Sequence, residues 1–138
     1  MAIKEIVTDL EILQTKSKIA NPNEVSELIR DLIDTAEAHK ERCVGLSAIQ
    51  IGVPLRVCVI WNGEQFIPFV NPVICRYLGK KYEAEESCMS LDGTRKVERY
   101  ERIHVLRQIK NRVVKEGYRD FMAEIIQHEL DHFEGKLI

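Results

Sequence analysis

No apolar run in the sequence approaches the roughly 20 residues that a membrane-spanning helix needs. The N-terminus, MAIKEIVTDLEILQ, carries acidic residues and lacks the apolar core of a signal peptide, so the expected location is the cytoplasm. An excess of one charge is missing too. The 20 basic and 22 acidic residues leave a formal net charge of −2, which excludes the electrostatic footprint of a general nucleic-acid binder. Cysteine is sparse: Cys43, Cys58, Cys75 and Cys88 are scattered with no framework spacing. In a reducing compartment they read as thiols or metal ligands rather than disulfides. Cys58, inside the apolar run RVCVI, and Cys75, in PVICRY, are expected as small core residues. No internal repeat, low-complexity tract or linker divides the chain. Its 138 residues, 45% of them hydrophobic, suffice for one core, and a single domain spanning 1–138 is expected.

What is present alternates between helical and strand periodicity. Val25, Leu28, Ile29, Leu32, Ile33 and Ala36 recur at helical spacing, predicting a helix from about Glu24 to Glu41 with Asn23 as its cap. Arg56 to Trp61 reads as a strand. Asn62-Gly63 is a type I′ hairpin signal, with a return strand near Gln65 to Val70. Asn71-Pro72 and Gly79-Lys80-Lys81 read as turns flanking a strand from Val73 to Leu78. Val97 to Ile109 alternates well enough for a long strand, turned at Lys110-Asn111 into Arg112 to Tyr118. A last helix is expected from about Asp120, as cap, to Phe133, ended by Gly135. Hairpins rather than crossover helices join the strands. The expected class is therefore α+β, with antiparallel β-sheets packed around a C-terminal helix and an N-terminal helix besides. Residues 95–119 are locally basic but interrupted by Glu98, Glu101 and Glu116, which reads as the solvated face of a hairpin before a docking patch for an acidic partner.

The strongest chemical signal is His128-Glu129-Leu130-Asp131-His132 on that last helix. Four residues make about one turn, so both imidazoles leave the same face and can share one metal. Glu129 stands beside them, where a carboxylate can take a proton from the hydrolytic water. Asp131 points off that face. Phe121, Ile125 and Ile126 precede the motif, so its inner face is buried, where histidines need partners. Two histidines fall short of the three protein ligands typical of a catalytic site. His39, His104 and numerous carboxylates are candidates for the third, and spacing does not separate them.

Three segments together resemble the signature motifs of the peptide deformylases. Gly45-Leu46-Ser47-Ala48-Ile49-Gln50 is similar to the family's Gly-hydrophobic-Ala-Ala-x-Gln stretch. Glu86-Ser87-Cys88-Met89-Ser90 is similar to Glu-Gly-Cys-Leu-Ser, and His128 to His132 has the His-Glu-x-Asp-His form. Order and separations match as well, and Asn71-Pro72 and Glu134-Gly135 fit the family's habits. The resemblance covers nearly the whole chain.

That resemblance implies a metal-dependent hydrolase that removes the formyl group from N-terminal formyl-methionine of nascent peptides and releases formate. It implies Cys88 as third metal ligand beside His128 and His132, with Glu129 as acid/base. Gln50 and the backbone N–H of Met89 would stabilise the oxyanion, and Gly45 would orient the peptide. Glu86 and Arg95 would form a supporting ion pair. Val44, Phe121, Ile125 and the backside of His128 would line the methionine pocket, with Cys43 beside the groove. One divalent ion is implied, Fe(II) foremost, with Zn, Ni or Co able to occupy the site. The implied partners are N-formylated nascent peptides, with transient proximity to the ribosome and neither membrane nor specific nucleic acid. Only six residues follow His132, so a C-terminal ribosome-docking helix is not expected. Four positions depart from the family pattern: Cys43 and Ser87 stand for glycine, Ser47 for alanine and Met89 for leucine. None removes an implied ligand or Glu129. The alternatives are a metal-binding deformylase-like paralogue of weak or altered activity, a small HExxH peptidase, and an interaction protein using the basic face.

Overall fold

A computed structural model describes residues 2–138. Its elements run α1 (Leu10–Leu13), α2 (Ser26–Ala38), β1 (Gly45–Ser47), a 3₁₀ turn (Ala48–Ile51), β2 (Val57–Trp61), β3 (Phe66–Cys88), β4 (Leu91–Ile109), β5 (Arg112–Arg119) and α3 (Asp120–Phe133). The strands form one sheet in the order β1-β2-β3-β4-β5, every neighbouring pair antiparallel. The expected α+β class with a helix from each half of the chain is what forms. Among the described residues, no helix is long and apolar enough to cross a membrane.

The apolar run in β2 explains the layering. Successive side chains of a strand face opposite ways. Val57 and Val59 join Leu32 and Ala36 of α2 in one buried cluster, while Cys58 and Ile60 join Ile125, Ile126 and Phe133 of α3 in the other. The sheet thus carries a helix on each face, and β2 is buried between them. Strands β3 and β4 extend beyond this sandwich and end at the Met89–Ser90 turn, which brings Cys88 towards α3.

Several expected boundaries shift for identifiable reasons. Asn23 does not cap α2. Its backbone N–H is taken by the Asn21 side chain at 3.0 Å, and the helix starts at Ser26. The hairpin after β2 spans Asn62 to Gln65 rather than two residues, because Gly63 is left-handed and Asn62 is not, whereas type I′ needs both. The Asn62 carboxamide instead accepts from the N–H groups of Glu64 and Gln65 at 2.8 and 2.9 Å. Asn71-Pro72 and Gly79-Lys80-Lys81 are register shifts inside the long β3 rather than turns between strands. Asn71 adopts a left-handed φ of 48°, which asparagine tolerates, and its side chain both donates to and accepts from the Ala20 backbone at 2.8 Å. Asp120 is the first residue of α3, not its cap, which is Arg119. Gly135, with φ 78°, lies against the Gln14 carbonyl where any Cβ would overlap it. Cys58 is fully buried as expected, but Cys75 is exposed on β3.

Candidate functional site

Helical spacing on α3 brings His128 and His132 together, with their Nε2 atoms 3.2 Å apart. Cys88 arrives from the end of β3. The ligand-bearing atoms of Cys88, His128 and His132 all lie within 4.8 Å of one another, the one such cluster among the described residues. His39 and His104 are elsewhere: His39 Nδ1 is at 2.9 Å from the Thr35 carbonyl, and His104 stands in β4 opposite Gly117.

The two imidazoles sit in unlike surroundings. Burial disfavours the His128 imidazolium, yet hydrogen bonding to Cys88 and Glu86 overturns this and lifts its pKa to about 10. Burial, reinforced by the charges of His128, Arg99 and Arg95, holds His132 at about 3. A sulfur and two imidazole nitrogens form a donor set that suits a divalent transition metal. Glu86 Oε1 lies 2.7 Å from His128 Nδ1. Burial alone would raise the Glu86 pKa, but hydrogen bonds from His128 and Arg99 hold it near 2. The ionised carboxylate therefore keeps a proton on Nδ1, so that Nε2, which faces His132, is the nitrogen that would give up its proton to hold a metal.

The arginine behind Glu86 is Arg99, a correction to the expected Arg95. Arg99 donates to Glu86 through Nε at 3.0 Å and a terminal nitrogen at 2.7 Å, and its other terminal nitrogen donates to Asp131 at 2.7 Å. Arg95 faces Glu86 in the strand register, but its guanidinium donates to the Asp92 carbonyl at 3.0 Å. A buried carboxylate is best matched by a buried two-pronged donor, and Arg99 is 5% exposed. Both arginines share one strand, so sequence spacing alone could not choose between them. Asp131, set off the ligand face, anchors this network from α3.

Glu129 is buried, and burial raises its pKa. Its Oε1 accepts from Ser47 Oγ at 2.8 Å. The Gln50 side chain, also buried, accepts from the Ser47 backbone N–H at 2.9 Å and donates to Ser90 Oγ at 3.3 Å. Val7 N–H donates to the Gln50 carbonyl at 2.8 Å, so the N-terminal segment steadies this turn. At Gly45, α3 packs tightly on β1. A Cβ there would lie 2.8 Å from both Glu129 Oε2 and Ile125 Cγ2.

Beside these groups runs a cleft of about 260 Å³ lined by Cys43, Val44, Gly45, Glu86, Cys88, Met89, Phe121, Glu124, Ile125, His128 and Glu129. The expected pocket residues therefore do come together. Phe121 and Val44 are exposed at its rim, and Ile125 is buried. Cys43 donates through sulfur to the Gly45 carbonyl at 3.3 Å, and burial, then the Glu129 charge, pushes its thiol up to about 12. It is an inert thiol near neutral pH. Ser87 has no left-handed φ, so serine fits without strain where the family pattern has glycine. A larger groove of about 600 Å³, beside Arg99 and Asp131, holds none of the converging ligand atoms. Sequence reasoning missed Gln127 and Ser47 as site builders. Gln127 clamps α3 to β4 by exchanging hydrogen bonds with the Tyr100 backbone, both at 2.9 Å. The signal for it was a buried amide one residue before His128.

Known proteins carry the same pattern. The profile of the family described as Polypeptide deformylase matches residues 3–138. A peptide deformylase of Clostridium beijerinckii is 48% identical over 99% of both chains. One of Heliobacterium modesticaldum is 38% identical over 99% of this chain and 92% of its own. Among solved structures, the peptide deformylase of Thermotoga maritima superposes with a TM-score of 0.90 at 27% identity, covering 99% of this chain and 95% of that one. A class I type b peptide deformylase from Acinetobacter baumannii, solved with actinonin bound, gives 0.88 at 25% identity, over 99% and 96%. Fold, motif order and relatives spanning the full length agree, and the chain belongs to the polypeptide deformylase family.

Proposed function

We propose that this protein is a peptide deformylase: a metal-dependent hydrolase that cleaves the formyl group from N-terminal formyl-methionine and releases formate. The observation that carries this reading is the convergence of Cys88, His128 and His132 beside a cleft lined by Cys88, His128 and Glu129, with Gln50 buried nearby on the Ser47 backbone. Cys88, His128 and His132 would hold one divalent ion, and we assign Fe(II) as the native metal, with Zn, Ni or Co able to replace it. When bound, the ion supplies Lewis acidity that makes hydroxide available near neutral pH.

The chain's own groups do the rest. Glu129 takes a proton from the attacking water and delivers it to the leaving amine. The Gln50 carboxamide and the Met89 N–H donate to the oxyanion that forms on the formyl carbon. Gly45, lacking a Cβ, keeps the wall of the cleft open for the peptide backbone. Val44, Phe121 and Ile125, with Cys43 alongside, receive the methionine side chain. Glu86 and Arg99 hold His128 in its working tautomer. The protein acts in the cytoplasm on nascent chains, close to the ribosome only transiently.

The test is formate release from formyl-Met-Ala-Ser by protein prepared anaerobically with Fe(II). Activity is expected. Folded, fully metallated protein that releases no formate would overturn the reading in favour of a deformylase-like paralogue, and cleavage of an unformylated peptide would favour the peptidase alternative.

A further inference from the structure

Ser47 stands where the family pattern has alanine, and it is fully buried at the junction of β1 and the 3₁₀ turn. Its hydroxyl touches Glu129 at two points: 2.8 Å from Oε1 and 3.1 Å from the backbone carbonyl. Its backbone N–H holds Gln50 Oε1 at 2.9 Å. One residue therefore grips the carboxylate of Glu129 and, by fixing the amide oxygen of Gln50, leaves the Gln50 Nε2 donor turned outward towards Ser90. An alanine would keep the bond to Gln50, which uses the backbone, and lose the one to Glu129.

We propose that Ser47 is a positioning residue for Glu129, its hydroxyl fixing Oε1 so that Oε2 faces the reacting atoms. This rests on the reading of Glu129 as the proton carrier. Oε2 accepts no hydrogen bond from the described residues, whereas Oε1 is engaged. Oε2 lies against Gly45, in the space that a Cβ there would contest at 2.8 Å, so the absence of a side chain at Gly45 leaves room for this oxygen. In the proton transfer, Oε2 accepts the proton from water and returns it to the amine nitrogen. Ser47 keeps its own proton throughout and touches no substrate atom. A group acting through another in this way alters turnover and leaves substrate binding alone, because the geometry of the base matters in the transition state more than in the ground state.

The experiment compares wild type, Ser47→Ala, Ser47→Thr and Glu129→Gln, all loaded anaerobically with Fe(II), on formyl-Met-Ala-Ser. Metal content and thermal midpoint are recorded for each. In Ser47→Ala, kcat should fall on the order of tenfold, with KM within about twofold and metal content unchanged. Ser47→Thr keeps the hydroxyl and should recover most of kcat; if its added methyl unfolds the protein, the alanine variant decides alone. Unchanged kcat in Ser47→Ala overturns the proposal, as does a fall in kcat accompanied by lost metal or a matching rise in KM, which marks a purely structural role. Glu129→Gln separates the two levels: if it stays active, the assignment of Glu129 itself fails, whereas an inactive Glu129→Gln beside a fully active Ser47→Ala defeats the Ser47 proposal only.

Discussion

Two arginine–glutamate pairs lie in the long β3–β4–β5 ribbon, and they differ in everything except distance. Near the cluster of Cys88, His128 and His132, Arg99 meets Glu86 at 2.7 Å with both side chains 6% exposed. At the far end of the same strand, Arg107 meets Glu116 at 2.6 Å, with the Glu116 side chain 40% exposed. The first pair continues into other groups: Glu86 to His128, and Arg99 to Asp131 on α3. The second closes on itself: Tyr118 donates to the same Glu116 oxygen, and Arg107 lies over the Phe69 ring and donates to the Pro68 carbonyl. Short distance alone does not rank the two. Burial and connection to a ligand do, since an exposed pair is screened by water while a buried one cannot lose a partner without leaving a bare charge.

The largest contrast should come from Glu129, buried next to His128 on α3. Glu129→Gln should lower kcat on formyl-Met-Ala-Ser by roughly 10²–10⁴-fold while metal content, measured by elemental analysis, stays at the wild-type level. Nothing at the Arg107 end should approach that effect. Next, Arg99→Leu should cost about 3–5 kcal/mol in denaturant unfolding. The same substitution should weaken metal affinity by about 10–100-fold through Glu86 and His128. Arg95→Leu, at the position the motif pattern favoured, should do neither. Equal losses for the two arginines would break the comparison.

Gly45→Ala sharpens it from the other side. The new methyl would meet Glu129 and Ile125 at 2.8 Å, so we expect about 1–3 kcal/mol of destabilisation and a larger fractional loss of kcat than that stability loss alone explains. The smallest effect belongs to Glu116→Gln. The Arg107 hydrogen bond holds the Glu116 carboxyl below its usual range, against the opposing pull of burial. Its contribution is therefore present above the ordinary carboxylate pKa and is lost as pH falls through the lower folded value. The thermal midpoints of wild type and Glu116→Gln should differ slightly at pH 7 and converge only as the pH falls through the lowered Glu116 value.

These two ends were also unequally legible in the sequence. The periodicity of α2, β2 and α3, the Lys110-Asn111 turn and the histidine pair could be read directly, because each depends on local spacing. Cys88 could not. It meets the histidines only because β3 runs through four register shifts to the Met89–Ser90 turn, and it entered through the three motifs taken together. Asn71-Pro72 and Gly79 looked like breaks between strands, yet a long ribbon absorbs such residues as bulges when its neighbour continues across them. Arg99 and Ser47 were hidden for another reason. An arginine among several on one strand, or a serine in a motif where alanine is the rule, shows its partner only when two distant segments are packed together.

The most direct test of the account is a paired measurement of metal content and formate release on wild type and Cys88→Ala, both loaded anaerobically with Fe(II). One ion per wild-type chain with formate release from formyl-Met-Ala-Ser is expected, and loss of both in folded Cys88→Ala. A Cys88→Ala protein that kept its full metal complement and its activity would contradict it.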